Sequence, residues 1–125
     1  MIRLLRRAAR ILLLDDDLSM QRLVATLLKR QGHRVDVVST GAQAVEMIAR
    51  NEYDAMVLDI MTPTEGGMTV IRALKKNAPA KLKRIILFTA SPESILKPIE
   101  GDVFAIVRKP FQPQELLEAV GNLIS

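Results

Sequence analysis

The feature that most constrains this chain is a rhythm of five short, predominantly apolar runs. Each is stopped by a polar residue, and each gives way to a longer stretch with apolar residues at helical spacing. Residues 11–14 stop at Asp15, and Leu23, Val24, Leu27 and Leu28 then recur at helical intervals until Gly32, a suitable residue just beyond a helix end. A second run at 35–38 precedes a helix marked by Ala44, Val45, Met47, Ile48 and Ala49. A third, at 55–58, stops at Asp59 and enters the loop TPTEGG. Val70, Ile71 and Leu74 form the stripe of the next helix, closed by Asn77 and Pro79. Runs at 84–88 and 103–107 follow, and a last helix starts near Pro113, a good first-turn residue. Continuous rather than alternating apolar strands imply burial on both faces. The expectation is an α/β fold: a doubly wound, five-stranded parallel sheet with helices on both faces and right-handed crossovers. The segment 91–101 carries Pro92 and Pro98, so the fourth helix is expected to be short or irregular.

At 125 residues, 49% of them apolar, the chain suits one domain with one core. It has no cysteine, which rules out a disulfide framework or a zinc–thiolate site and points to a reducing, cytoplasmic address. No apolar run approaches the roughly 20 residues of a membrane span, and MIRLLRRAARILLL meets DDD where a secretory signal would carry a small-residue cleavage site. Much of the net charge of +4 comes from Arg3, Arg6, Arg7 and Arg10. Residues 1–10 therefore read as a solvated basic N-terminal extension, open to disorder, and 11–125 as the domain. With four aromatic residues and none in the basic stretch, base-stacking surfaces are missing, and direct nucleic-acid binding is not expected.

In an open parallel sheet, ligands bind outside the carboxyl ends of the strands. Asp15, Asp16 and Asp17 follow the first strand, Asp59 the third, Thr89 the fourth and Lys109 the fifth, which puts the chemically suggestive groups on one edge. A lone Asp after a strand is commonly a helix cap, and Asp17 reads that way. The joint arrangement is different. Two like charges about 4 Å apart repel by roughly 4 kcal/mol at an effective dielectric near 20. Asp15, Asp16 and Asp59 at neighbouring strand ends thus call for a hard divalent cation, and Mg²⁺ suits a site of one or two carboxylates completed by phosphate oxygens. A carboxylate nucleophile, a metal, the Lys109 ammonium and the Thr89 hydroxyl together are what phosphoryl transfer to a carboxylate needs.

The segments ILLLDDDLSMQRL, MVLDIMTPTEGG, LFTAS and VRKPF, in this order, resemble the signature regions of response-regulator receiver domains, and the resemblance covers the chain from Ile11 onward. It implies the flavodoxin-like strand order 2-1-3-4-5. By position it implies Asp59 as phosphoacceptor, Asp16 as a direct metal ligand, Asp15 as a ligand acting mostly through water, and the Met61 carbonyl as the remaining protein ligand. It further implies Thr89 as the switch hydroxyl, Lys109 as the partner of the phosphoryl oxygens, and a cis Lys109–Pro110 bond. The implied partners are a histidine kinase or histidine phosphotransfer protein, and then a downstream protein target or a second copy of the chain. The implied activity is that of a signalling phosphoacceptor rather than an enzyme acting on other substrates. Three departures stand out: Ile106 where many receivers carry an aromatic residue, the short segment 91–101, and the Arg-rich leader. Met61 and Ser91 occupy positions that modulate phosphoryl lifetime in the family.

Competing readings fare worse. An aspartate-nucleophile phosphatase would need Asp-x-Asp-x-Thr, and Met61 stands where the second acid belongs; no dinucleotide or P-loop glycine motif is present. The rival of the same fold is a pseudo-receiver, an interaction module that is not phosphorylated. The last helix is expected to run to the end of the sequence, which leaves either a stand-alone receiver or a fragment of a longer regulator. His33, the only histidine, falls in the turn after the first helix and is expected to be exposed, and the six methionines read as gap fillers.

Overall fold

In a computed structural model, which describes residues 8–61 and 65–125, the chain forms five strands and five α-helices. The strands are β1 (Arg10–Leu14), β2 (Arg34–Val38), β3 (Ala55–Leu58), β4 (Ile85–Thr89) and β5 (Ala105–Arg108). The helices are α1 (Leu18–Arg30), α2 (Gly41–Arg50), α3 (Gly67–Asn77), α4 (Glu93–Leu96) and α5 (Pro113–Ile124). The sheet is parallel throughout and ordered β2-β1-β3-β4-β5, as expected.

Strand side chains alternate between faces, so each apolar run serves two cores. Leu12, Leu14, Met56, Leu58, Ile85 and Leu87 pack beneath α2 and α3 with Ala44, Val70 and Ile71. Ile11, Leu13, Val57, Ile86 and Phe88 face α1 and α5 with Val24, Leu28, Leu116 and Val120. Local signals end the helices where expected. Asp17 Oδ1 accepts the Ser19 and Met20 N–H groups at the start of α1. At its end Gly32 takes φ +92, its N–H donating to the Lys29 carbonyl and that of His33 to the Leu28 carbonyl, a Schellman closure. The fourth helix is indeed short: α4 spans four residues and passes directly into a 3₁₀ turn, Lys97–Ile99.

Three expectations need correction. His33 is buried, not exposed, because its Nδ1 accepts the Ala9 N–H at 3.1 Å while the Arg34 N–H donates to the Ala9 carbonyl at 2.9 Å. The folded unit also begins before Ile11: Ala9 is buried, and Arg10 opens β1. The rest of the basic extension, residues 1–7, lies outside the described residues. The fifth strand starts at Ala105 rather than at residue 103. Val103 packs into the core from the connecting bend, and the Phe104 N–H reaches the Ile85 carbonyl at 2.9 Å. Among the described residues, no helix is long and apolar enough to cross a membrane.

Candidate functional site

Strand register brings the acidic residues together. Leu14 of β1 lies beside Leu58 of β3, so Asp15 and Asp59 emerge as neighbours, and the Asp59 N–H donates to the Leu14 carbonyl at 3.0 Å. One carboxylate oxygen from each of Asp15, Asp16 and Asp59 lies within 4.8 Å of the others. Asp15 and Asp59 are buried and Asp16 is exposed. Lys109, just past β5, completes the group: its Nζ is 3.3 Å from Asp59 Oδ2 and 3.7 Å from Asp15 Oδ2. The ammonium also stands 4.7 Å from the centroid of the Phe88 ring, and the Lys109–Pro110 peptide bond is cis.

Asp15 carries the electrostatic conflict. Its Oδ1 accepts the Asp17 N–H at 2.9 Å, but its Oδ2 is buried with no hydrogen-bond partner, since Lys109 at 3.7 Å stands beyond hydrogen-bonding distance. Burial pushes the Asp15 carboxyl above its ordinary pKa; the Asp17 amide and Lys109 oppose the shift, while the charges of Asp59 and Asp16 add to it. A buried, unpartnered carboxylate oxygen facing two further carboxylates is costly unless a cation compensates, and an all-oxygen donor set fits a hard divalent ion.

A prediction follows from the sign of this shift. A carboxyl whose folded pKa is raised contributes stability below its unfolded pKa and loses it as pH rises through the raised value. At neutral pH and without divalent cation, Asp15→Asn is therefore expected to be more stable by about 1–2 kcal/mol, through relief of an unsatisfied buried group, and to show a higher urea midpoint. The same variant should lose most of the stabilisation that added Mg²⁺ confers. A lower midpoint in the metal-free variant would mean that Lys109 already compensates Asp15.

The backbone around Asp59 is shaped for a tight return. The Met61 N–H donates to Asp59 Oδ1 at 3.2 Å with Met61 at φ +61, a left-handed conformation unusual for this residue type. The Gly67 N–H donates to the Asp59 carbonyl at 2.7 Å, and a Cβ at Gly66, where φ is +64, would stand 2.7 Å from the Ile60 carbonyl. Thr62, Pro63 and Thr64 lie outside the described residues. Thr89 lines a cleft of about 420 Å³ together with Asp59, Met61, Ser91 and Lys109. Its hydroxyl is turned onto Ser91, donating to Ser91 Oγ and accepting the Ser91 N–H, each at 3.0 Å. Ile106 is half-buried against the edge of the core.

Two contributors escaped the sequence reading. Gln21 Nε2 donates to the Asp15 carbonyl and, at 3.0 Å, to Ser39 Oγ, tying the acidic loop to the loop after β2. A single Gln one turn into an amphipathic helix carries no signal of that role. Arg108 pairs with Glu93, binding α4 to the end of β5. Nothing local to either residue predicts this pairing across 15 positions.

Comparison with known proteins agrees with this geometry. The family model described as the response regulator receiver domain matches residues 11–121. The chain is 34% identical over 116 residues to the transcriptional regulatory protein GltR of Pseudomonas aeruginosa, covering 91% of this chain and 48% of that one. It is 30% identical over 115 residues to the response regulator MprA of Mycobacterium leprae, covering 92% and 50%. The chain thus spans about half the length of these curated relatives. Among solved structures it resembles the response regulator protein TrrA of Thermotoga maritima in complex with Mg²⁺-BeF, with TM-score 0.79 and 30% identity, covering 91% of this chain and 97% of that one. It also resembles the receiver domain of the sensor histidine kinase PA1611 of Pseudomonas aeruginosa with magnesium coordinated in its active-site cleft, with TM-score 0.78 and 27% identity, covering 94% and 98%.

Proposed function

The chain belongs to the response regulator receiver domain family, and from that premise we propose that it accepts a phosphoryl group on Asp59, in a Mg²⁺-dependent reaction, from a phosphohistidine of a kinase or phosphotransfer protein. The observation that carries this reading is the placement of Asp59: a buried carboxylate lining a cleft, with Lys109 Nζ at 3.3 Å and a carboxylate oxygen of each of Asp15 and Asp16 within 4.8 Å.

In the reaction, an Asp59 carboxylate oxygen attacks phosphorus as the phosphorus–nitrogen bond to the donor imidazole breaks. The imidazole keeps the bonding electron pair and takes a proton from solvent, and Asp59 becomes an acyl phosphate. Lys109 neutralises charge on the phosphoryl oxygens without moving far from its present position. Asp15, Asp16, Asp59 and the Met61 carbonyl would hold the metal, which supplies charge neutralisation at the transferring group. Thr89, now engaged with Ser91, is the hydroxyl that would turn to a phosphoryl oxygen, exchanging one hydrogen bond for another and altering the surface that meets the downstream partner. The assigned role is that of a signalling phosphoacceptor, carried out in the cytoplasm.

The test is intact mass after incubation with Mg²⁺ and a small acyl or amido phosphate. A labile, Mg²⁺-dependent gain of about 80 Da is expected for the added phosphoryl group. No gain, with Mg²⁺ shown to bind, would leave a pseudo-receiver acting through protein contacts alone. A smaller effect is expected at Met61, whose apolar side chain offers nothing to orient an attacking water. Met61→Asn should shorten the acyl phosphate lifetime, and Asn tolerates the left-handed backbone held there. An unchanged dephosphorylation rate would remove Met61 from the account.

A further inference from the structure

The acidic cluster takes no carboxylate from β2, yet the loop that follows β2 is fastened to the cluster's backbone. The fastener is Gln21, half-buried in the first turn of α1, where its backbone N–H donates to the Asp17 carbonyl. A carbonyl can only accept, so Gln21 meets the Asp15 carbonyl with its amide nitrogen. The same nitrogen donates to Ser39 Oγ at 3.0 Å, which uses both of its hydrogens. On its other side Asp15 is held through its own N–H, which donates to the Val38 carbonyl at 3.2 Å.

Ser39 is a firm anchor. Its N–H donates to Gln43 Oε1 at 2.9 Å, the same oxygen accepts the Thr40 N–H at 3.2 Å, and Thr40 Oγ1 accepts the Gln43 N–H at 3.1 Å. This reciprocal cap locks the loop onto the start of α2. Gly41, next in the chain, lies so close to the loop after β3 that a Cβ there would stand 2.7 Å from the Gly66 carbonyl. The loops after β1, β2 and β3 are thereby joined in one frame, and the first and third of them carry the carboxylates.

The frame fixes the peptide between Asp15 and Asp16. That unit is planar and rigid, so holding its carbonyl restrains ψ of Asp15 and φ of Asp16, the two angles that aim the carboxylates. Little else holds them. The Asp15 side chain has one bond, from the Asp17 N–H, while its Oδ2 is buried without a hydrogen-bond partner. The exposed Asp16 carboxylate accepts no hydrogen bond among the described residues. We propose, on the reading that Mg²⁺ binds at Asp15, Asp16 and Asp59, that Gln21 and Ser39 are positioning residues that set the affinity for Mg²⁺ by fixing this peptide. Ligands ordered in advance bind more tightly because their freedom is already lost on folding.

The experiment is calorimetric titration of the full chain with Mg²⁺ alone. Gln21→Met keeps the side-chain length and the helix propensity but removes the donor, and it should raise the Kd about tenfold, the low end for a group that orients a metal ligand. Ser39→Ala should weaken binding less, because Gln21 keeps its bond to the Asp15 carbonyl. Ser39→Thr retains the hydroxyl and should restore the native affinity. In Gln21→Met/Ser39→Ala the two losses should fall short of additive, since both act through one amide. Phosphoryl acceptance gives a second readout: the rate of mass gain in Gln21→Met should fall at limiting Mg²⁺ and recover at saturating Mg²⁺, a split that general destabilisation does not produce. Unchanged Mg²⁺ affinity in Gln21→Met, or a loss in Ser39→Ala that Ser39→Thr does not restore, would overturn the proposal and leave the phosphoacceptor reading standing. A native chain that binds no Mg²⁺ would remove the Mg²⁺ reading, and this proposal with it.

Discussion

Asp59→Ala is expected to abolish the gain of about 80 Da completely, at every donor concentration at which the native chain is saturated. The expectation is total because the change removes the proposed nucleophile itself, and no neighbour is placed to replace it. Asp15 is buried without facing the cleft, and Asp16, though exposed, does not line it either; only Asp59 meets the cleft beside Thr89, Ser91 and Lys109. Folding will not confuse the result. Removing one of three clustered carboxylates relieves like-charge repulsion, so the urea midpoint of the variant should equal or exceed that of the native chain. An undiminished mass gain in Asp59→Ala, mapped by peptide analysis to Asp16, would move the acceptor and sink the assignment of Lys109 as its charge partner.

Phe88→Ala is expected to cost about 3–5 kcal/mol, the usual range for truncating a buried aromatic residue, out of a total stability on the order of 5–15 kcal/mol for such a domain. Phe88 is fully buried in β4 opposite Val107 of β5, and its ring meets Phe111 edge-on at 6.2 Å between centroids. Strand and ring are held on several sides, so little collapse into the space is open to the surroundings. The same ring lies beneath the Lys109 ammonium. Phe88→Ala should therefore also slow phosphoryl acceptance under conditions where the variant is still folded, because Lys109 loses the surface that aims it at Asp59. Phe88→Leu keeps most of the volume and should lose less stability, yet it still removes the aromatic face. Urea denaturation gives the first effect and the rate of mass gain the second. A loss below about 1 kcal/mol in Phe88→Ala would contradict the packing account.

The fold was legible because its determinants are local or follow general rules. Short apolar runs, interrupted by polar residues at Asp15, Asp59, Thr89 and Arg108, fix to within a residue where these strands end. Handed crossovers then fix which ends are neighbours. Asp17 as a cap, Gly32 as a helix terminator and Pro113 at the start of α5 act within a few residues of themselves, and each does in the structure what its type suggests. The acidic cluster and its lysine were legible for the same reason, as residues one step beyond strand ends on a shared edge.

What the sequence alone determined, then, was the order of elements and which polar side chains gather at one edge of the sheet. Only the tertiary structure decided how those groups are satisfied. It seats His33 in the interior as an acceptor for Ala9, leaves Asp15 Oδ2 without a partner, turns the Thr89 hydroxyl onto Ser91, and binds the acidic loop through Gln21. It also leaves Lys29, Arg30, Arg34 and Lys76 together on one edge although they come from separate elements. The physical reason is one of range. Backbone conformation answers to neighbours within a turn or a strand. Burial, hydrogen-bond partners and charge environment answer to whichever residues packing brings within a few ångströms, and sequence separation does not encode that distance.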